Sequence, residues 1–121
     1  MLNLDTHILI HALEGNLSLR EEKALSVESW SISAIVLWEL SKLIELERIE
    51  MSLESPETVR SLSRIHVWPL TLEICREIGA LDFDSDPADE IIAATSVVHR
   101  VPLVTRDRTL LKSKKTPLAK I

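Results

Sequence analysis

Met1-Leu2-Asn3-Leu4-Asp5-Thr6-His7-Ile8-Leu9-Ile10 carries the reading that decides the fold. Met1–Leu4 is a short apolar strand that runs straight into Asp5, and Thr6 is expected to cap a helix reaching about Glu14. The same order, strand then polar turn then helix, returns near the other end. There Pro102–Thr105 is a strand, and Asp107 caps a short helix to about Lys112. Between them, Ser18-Leu19-Arg20-Glu21 has capping-box spacing for a helix to about Ser26. Trp30–Ser33 is a buried strand. Ser33 caps a long helix to about Ile49, with Val36, Leu40, Leu43 and Ile44 at helical spacing. Ser55-Pro56-Glu57 starts a further helix. His66–Leu70 is a strand, Thr71 to about Leu81 a helix, and Asp86-Pro87 opens a helix to about His99. Pro117–Ile121 is expected to add an edge strand. Strands alternating with helices predict a parallel sheet covered on both faces, in one α/β domain spanning residues 1–121. Such sheets gather functional groups at the carboxyl ends of their strands, so the residues that follow each strand matter most.

Composition narrows the chemistry. The 121 residues are 45% hydrophobic and include two glycines and one cysteine. A core can form without disulfides, and Cys75 has no partner in the chain. Gly15 and Gly79 stand alone, so neither a P-loop nor a dinucleotide-binding turn can be built. The net charge of −5 argues at first against a nucleic-acid partner. It is unevenly spread: residues 1–99 carry 7 basic and 18 acidic side chains, and residues 100–121 carry 7 and 1. The basic end reads equally as a polyanion-facing surface or as a solvated tail. No signal sequence is read at the N-terminus, and the run Ala34–Trp38 is far too short to span a membrane, so a cytoplasmic protein is expected.

Four carboxylates stand at telling positions. Asp5 and Asp107 follow strands, and each alone reads first as a cap or turn residue. Glu39 has Val36, Leu43 and Leu46 as helical neighbours and so sits on or beside a buried stripe, unlike Glu45, whose neighbours are Ser41, Lys42 and Arg48. A carboxylate drawn into a core needs a partner, a proton or a metal. Asp86 and Asp89 flank Pro87 as N-cap and N3; capping suffices for Asp86, whereas Asp89 begins the apolar stretch Ile91–Ala94 and turns toward the sheet. If Asp5, Glu39, Asp89 and Asp107 converge, their repulsion calls for a hard divalent cation, Mg²⁺ or Mn²⁺, able to polarise a phosphate and activate water.

These residues, in this order, resemble the PIN domain, and in particular the VapC-type toxins of toxin–antitoxin pairs. The resemblance rests on Leu4-Asp5-Thr6-His7, Ser33-Ala34-Ile35-Val36-Leu37-Trp38-Glu39-Leu40, Asp86-Pro87-Ala88-Asp89-Glu90-Ile91-Ile92-Ala93-Ala94-Thr95 and Pro102-Leu103-Val104-Thr105-Arg106-Asp107. It implies a three-layer α/β/α fold with a parallel sheet of about five strands, and a metal-dependent ribonuclease. Asp5, Glu39, Asp89 and Asp107 match the family's acidic quartet by position. Thr6 and Thr105 match neighbours that orient the carboxylates or a water. The resemblance also implies a homodimer and a cognate antitoxin that blocks the site. Two features depart from it: Glu90 stands where the family often has Arg, and the C-terminus is short and lysine-rich.

Other residues suggest less. His7 and His11 have the spacing of a helical zinc pair but lack a third ligand, and read as surface or core-edge histidines. His66 and His99 carry no signal. Cys75 and Trp38 read as core residues, with base stacking a minor alternative for Trp38. Arg106, Arg108 and Lys112 flank Asp107 closely enough to contact an RNA backbone. A phosphoacceptor receiver domain would need an acidic pair after the first strand and an Asp after the third; Asp5-Thr6 and Trp68-Pro69-Leu70-Thr71 exclude it. The remaining alternative is a catalytically weak PIN fold that serves mainly to bind its antitoxin.

Overall fold

A computed structural model describes all residues, Met1–Ile121. Its elements in chain order are β1 (Leu2–Leu4), α1 (Thr6–Glu14), α2 (Leu19–Ser26), β2 (Trp30–Ser33), α3 (Ala34–Glu45), α4 (Pro56–Ser63), β3 (His66–Trp68), α5 (Leu72–Ile78), α6 (Pro87–His99), β4 (Leu103–Val104) and α7 (Arg108–Leu111). The four strands form one parallel sheet in the order β3-β2-β1-β4. Every residue of β1 is buried, whichever way its side chain points, so helices cover both faces. The core is continuous, with Leu4, Ile8, Leu9, Ile32, Val36, Leu40, Ile92 and Val104 fully or almost fully buried.

Polar residues tie this core together. Asn3, fully buried in β1, donates through Nδ2 to Ser96 Oγ at 2.9 Å and to the Ile92 carbonyl at 3.3 Å, joining the central strand to α6. Ser31 donates to the Leu2 carbonyl between β2 and β1. At the far end of α6, His99 stacks on Trp68 of β3 with ring centroids 3.9 Å apart.

Several boundaries differ from the sequence reading, each for a local reason. Asp5, not Thr6, caps α1, its side chain accepting from the Thr6 amide at 2.8 Å. The long helix stops at Glu45 instead of about Ile49. Glu47 adopts a left-handed φ of 56°, and the amides of Glu47 and Arg48 return to the carbonyls of Ile44 and Leu43. That is a Schellman closure with Glu in the place glycine usually takes. Pro69 ends β3 at Trp68, and α5 closes at Ile78 before Gly79. The fifth strand shrinks to a single bridge, Leu103 to Leu118, although the pairing is in place: Leu103 N–H donates to the Pro117 carbonyl and Ala119 N–H to that of Leu103.

Two side chains placed in the core by sequence lie outside it. Cys75 is exposed, because Ile74 is the residue of α5 that points inward. Trp38 is 55% exposed, because Val36 and Leu40 take the inward positions of α3. The longest apolar run therefore continues one residue past what the core can absorb.

Candidate active site

The strand order places a switch point between β1 and β4, because the chain builds β2 and β3 on one side of β1 and then returns to the other. Residues that leave the carboxyl ends of these two strands face a common crevice. Asp5 leaves β1; Thr105 and Asp107 leave β4. α3 rises from the end of β2 and brings in Glu39, and the N-terminus of α6 brings in Asp86 and Asp89. All of these acids line one pocket of about 350 Å³, together with His7, His11 and Arg106. The four carboxylates expected to converge do so.

Hydroxyl groups position them. Thr6 Oγ1 donates a short hydrogen bond to Glu39 Oε1. Thr105 Oγ1 donates to Asp5 Oδ2 at 2.6 Å and accepts from the Asp107 amide at 3.0 Å, linking the turns after β1 and β4. Ser85, which sequence reasoning passed over, donates to Asp89 Oδ2 at 2.8 Å. Only its place just before the Asp86-Pro87 helix start could have marked it. Asp5, Asp86 and Asp107 are also N-caps of α1, α6 and α7, so each carboxylate faces free N–H groups that favour negative charge. The capping and functional readings of these residues are thus compatible.

The acids remain undercompensated. Burial is the main cause that raises the Asp5 carboxyl above its ordinary range, with the Thr105 and Thr6 hydrogen bonds and His7 opposing and Asp107 adding. Burial likewise raises Glu39, against the Thr6 hydrogen bond, with Asp5 and Asp86 adding repulsion. Asp89 is pushed up to about 6, first by burial and then by Asp86, Asp5 and Asp107. The nearest guanidinium does not relieve them. Arg106 is engaged by Glu21 of α2, Nε to Oε2 at 2.8 Å and Nη2 to Oε1 at 2.6 Å. That pair was not legible in the sequence, where Glu21 reads only as half of the capping box it also completes. Arg108 and Lys112 are exposed on and after α7. Glu90 turns away to accept from the Ser85 amide at 3.3 Å.

The carboxylates themselves offer only oxygen donors and are net negative, which suits Mg²⁺ or Mn²⁺. No three of the His, Asp or Glu side chains stand close enough to hold one ion between them. Mg²⁺ retains several of its waters and needs only one or two direct carboxylates, so spaced acids fit it better than they would a fully dehydrated cation. A larger cleft, about 540 Å³, is lined by Glu14, Glu50 and Glu57. Those acids are solvent-exposed, and nothing there forces them to seek a cation.

Fold and pocket together define a class, the small parallel α/β proteins that collect carboxylates at the switch point of the sheet. The family model of the PIN domain matches residues 3–115, and this chain belongs to that family. It is similar to Ribonuclease VapC22 of Mycobacterium tuberculosis, 31% identical over 113 residues that cover 88% of this chain and 87% of the relative. Solved structures share the fold. A toxin–antitoxin complex from Klebsiella pneumoniae matches with TM-score 0.72 at 23% identity, covering 93% of this chain and 91% of that one. VapBC2 from Rickettsia felis, bound to a DNA fragment from its promoter, matches with TM-score 0.76 at 19% identity, covering 98% of both chains. FitAcB from Neisseria gonorrhoeae matches with TM-score 0.67 at 22% identity, covering 99% and 97%.

Proposed function

We propose that this chain is a divalent-metal-dependent endoribonuclease, the toxin of a toxin–antitoxin pair. The observation that carries the reading is the convergence of Asp5, Glu39, Asp89 and Asp107, from four separate segments, in one undercompensated pocket. Family membership and the ribonuclease relative support it. Asp5, Glu39, Asp89 and Asp107 would hold one or two Mg²⁺ or Mn²⁺ ions. When bound, the metal supplies positive charge for the scissile phosphate and lowers the pKa of water.

The chain's own groups then have distinct tasks. Thr105 and the Thr6 amide fix the two oxygens of Asp5, leaving its remaining lone pairs toward the pocket. Thr6 orients Glu39, and Ser85 orients Asp89. The burial and neighbouring acids that raise the Asp89 carboxyl would be offset by a cation bound beside it, which favours its ionised, ligating form. Hydrolysis in line would leave 5′-phosphate and 3′-hydroxyl ends. Arg108 and Lys112 would contact the RNA backbone beside Asp107, with Arg106 held back by Glu21.

The proposal includes a cytoplasmic location, a homodimer and a cognate antitoxin, the last supported by structural neighbours that are toxin–antitoxin complexes. No helix is long and apolar enough to cross a membrane. The second reading is a PIN fold that serves mainly to bind its antitoxin and turns over weakly. One experiment separates the two. Asp5→Asn should lower Mg²⁺-dependent RNA cleavage at least about a thousandfold with an unchanged circular dichroism spectrum. It should also restore growth when expressed without antitoxin. A variant that cuts RNA as fast as the parent overturns the assignment. A parent that binds antitoxin and cuts nothing favours the second reading.

A further inference from the structure

An apolar groove of about 420 Å³ adjoins the acidic pocket and shares two of its walls, Glu39 and Asp86. Its other walls are Ile35 and Trp38 of α3 and Pro87 and Ala88 at the start of α6. Trp38 stands 55% exposed there, a large ring left in water at the lip of the site while its neighbours Val36 and Leu40 are fully buried. One helical turn on, Lys42 Nζ lies 6.0 Å from the Trp38 ring centroid. Its only ionic partner is the exposed Glu45 at 3.2 Å, a surface pair weak enough to exchange for a better anion.

Resting on the nuclease reading, we propose that this groove seats one unpaired nucleobase of the RNA substrate, stacked on the Trp38 indole, with Lys42 meeting a phosphate of the same strand. A nucleotide joins an aromatic ring to an anion, and the helix offers an indole and an ammonium four residues apart. The shared walls put that base next to the phosphate held in the acidic pocket. Apart from Glu39 and Asp86, both already committed to the acidic pocket, the groove has no polar side chain with which to read a base edge. Recognition is therefore tolerant of base identity but requires the base to be free of a duplex.

Binding and cleavage test this separately. In an Asp5→Asn background with Mg²⁺, single-stranded oligo(A) or oligo(U) quenches indole emission, and the Trp38→Phe change removes that quenching while leaving Trp30 and Trp68 in place. An abasic ribose-phosphate oligomer of the same length quenches little. In the active protein, Trp38→Ala raises KM for single-stranded RNA about tenfold or more, and Trp38→Phe recovers most of the loss. Lys42→Ala weakens binding and lowers its salt dependence. Equal KM for parent and Trp38→Ala, or equal affinity for normal and abasic oligomers, overturns the base site and leaves the nuclease reading standing. Quenching by oligo(A) from a parent that never cuts RNA keeps the base site and sinks the nuclease. A Trp38→Ala protein that changes only its sedimentation or its antitoxin affinity assigns the ring to a protein interface, and the proposal fails.

Discussion

Asp89 shows how one residue's surroundings set its chemistry. Its carboxyl holds a proton up to about 6 in the folded protein, against 3.8 ordinarily, because burial and three neighbouring acids disfavour its charge. A group whose folded pKa is raised contributes most below its unfolded pKa and loses that contribution as pH rises through the folded value. The metal-free protein should therefore lose stability between about pH 4 and pH 6 on this account. Asp89→Asn should be more stable than the parent by about 1 kcal/mol at pH 7 in chelator, after allowing for solvent screening of a half-exposed group. Adding Mg²⁺ should stabilise the parent more than the variant. Thermal melts with and without metal at both pH values check the sign, and a variant less stable than the parent in chelator contradicts it. Of the residues that line the acidic pocket, Asp5, Glu39, Asp89 and Asp107 stood out in the sequence because each sits at a strand end, a helix start or on a buried stripe. Ser85 was not, because a serine before a helix is common and its hydroxyl is aimed by the fold.

Among the elements, α2 and the turn after β4 are joined by one ion pair. Arg106 holds the Glu21 carboxyl down at about 2, chiefly through its side-chain hydrogen bonds. A depressed carboxyl contributes stability above its unfolded pKa of about 4.5 and loses it as pH falls toward 2. Arg106→Ala should lower stability by about 1–2 kcal/mol at pH 7, less than a buried pair would lose because the guanidinium is partly solvated. The difference from the parent should disappear near pH 2, as chemical denaturation would report. The same variant loosens the turn that carries Thr105 and Asp107, so its cleavage rate should also fall. At the end of α3, Glu47 occupies left-handed backbone. Glu47→Gly should raise stability by up to about 1 kcal/mol, read from the denaturation midpoint. Periodicity could not have found this stop, since Ile49 continues the apolar spacing and nothing local announces the left-handed residue.

Over the whole molecule, the basic C-terminal end is neither a free tail nor a uniform polyanion surface. Arg106 folds back on Glu21, Lys115 on Glu77 at 3.0 Å, and Asp82 accepts from the amides of Lys114 and Lys115 and from Ser113. These contacts lead Pro117–Ala119 past the edge of β4, where they pair with Leu103 and Leu118 packs on the core. Removing residues 117–121 should cost about 2–3 kcal/mol and expose a strand edge that promotes self-association. Thermal unfolding and sedimentation would show both effects. A truncated chain as stable and as dispersed as the parent would contradict this role.

Fold class, strand positions and the acidic quartet were readable in the order of the residues, because periodicity, capping and proline or glycine punctuation act within a few positions. The Thr105–Asp5 hydrogen bond joins residues a hundred positions apart, and the Arg106–Glu21 pair spans 85. Trp38 reached water only because Val36 and Leu40 claimed the inward face of α3. Contacts of that range depend on which strands lie side by side and how much side-chain volume the core can hold, and no local pattern in a chain encodes either.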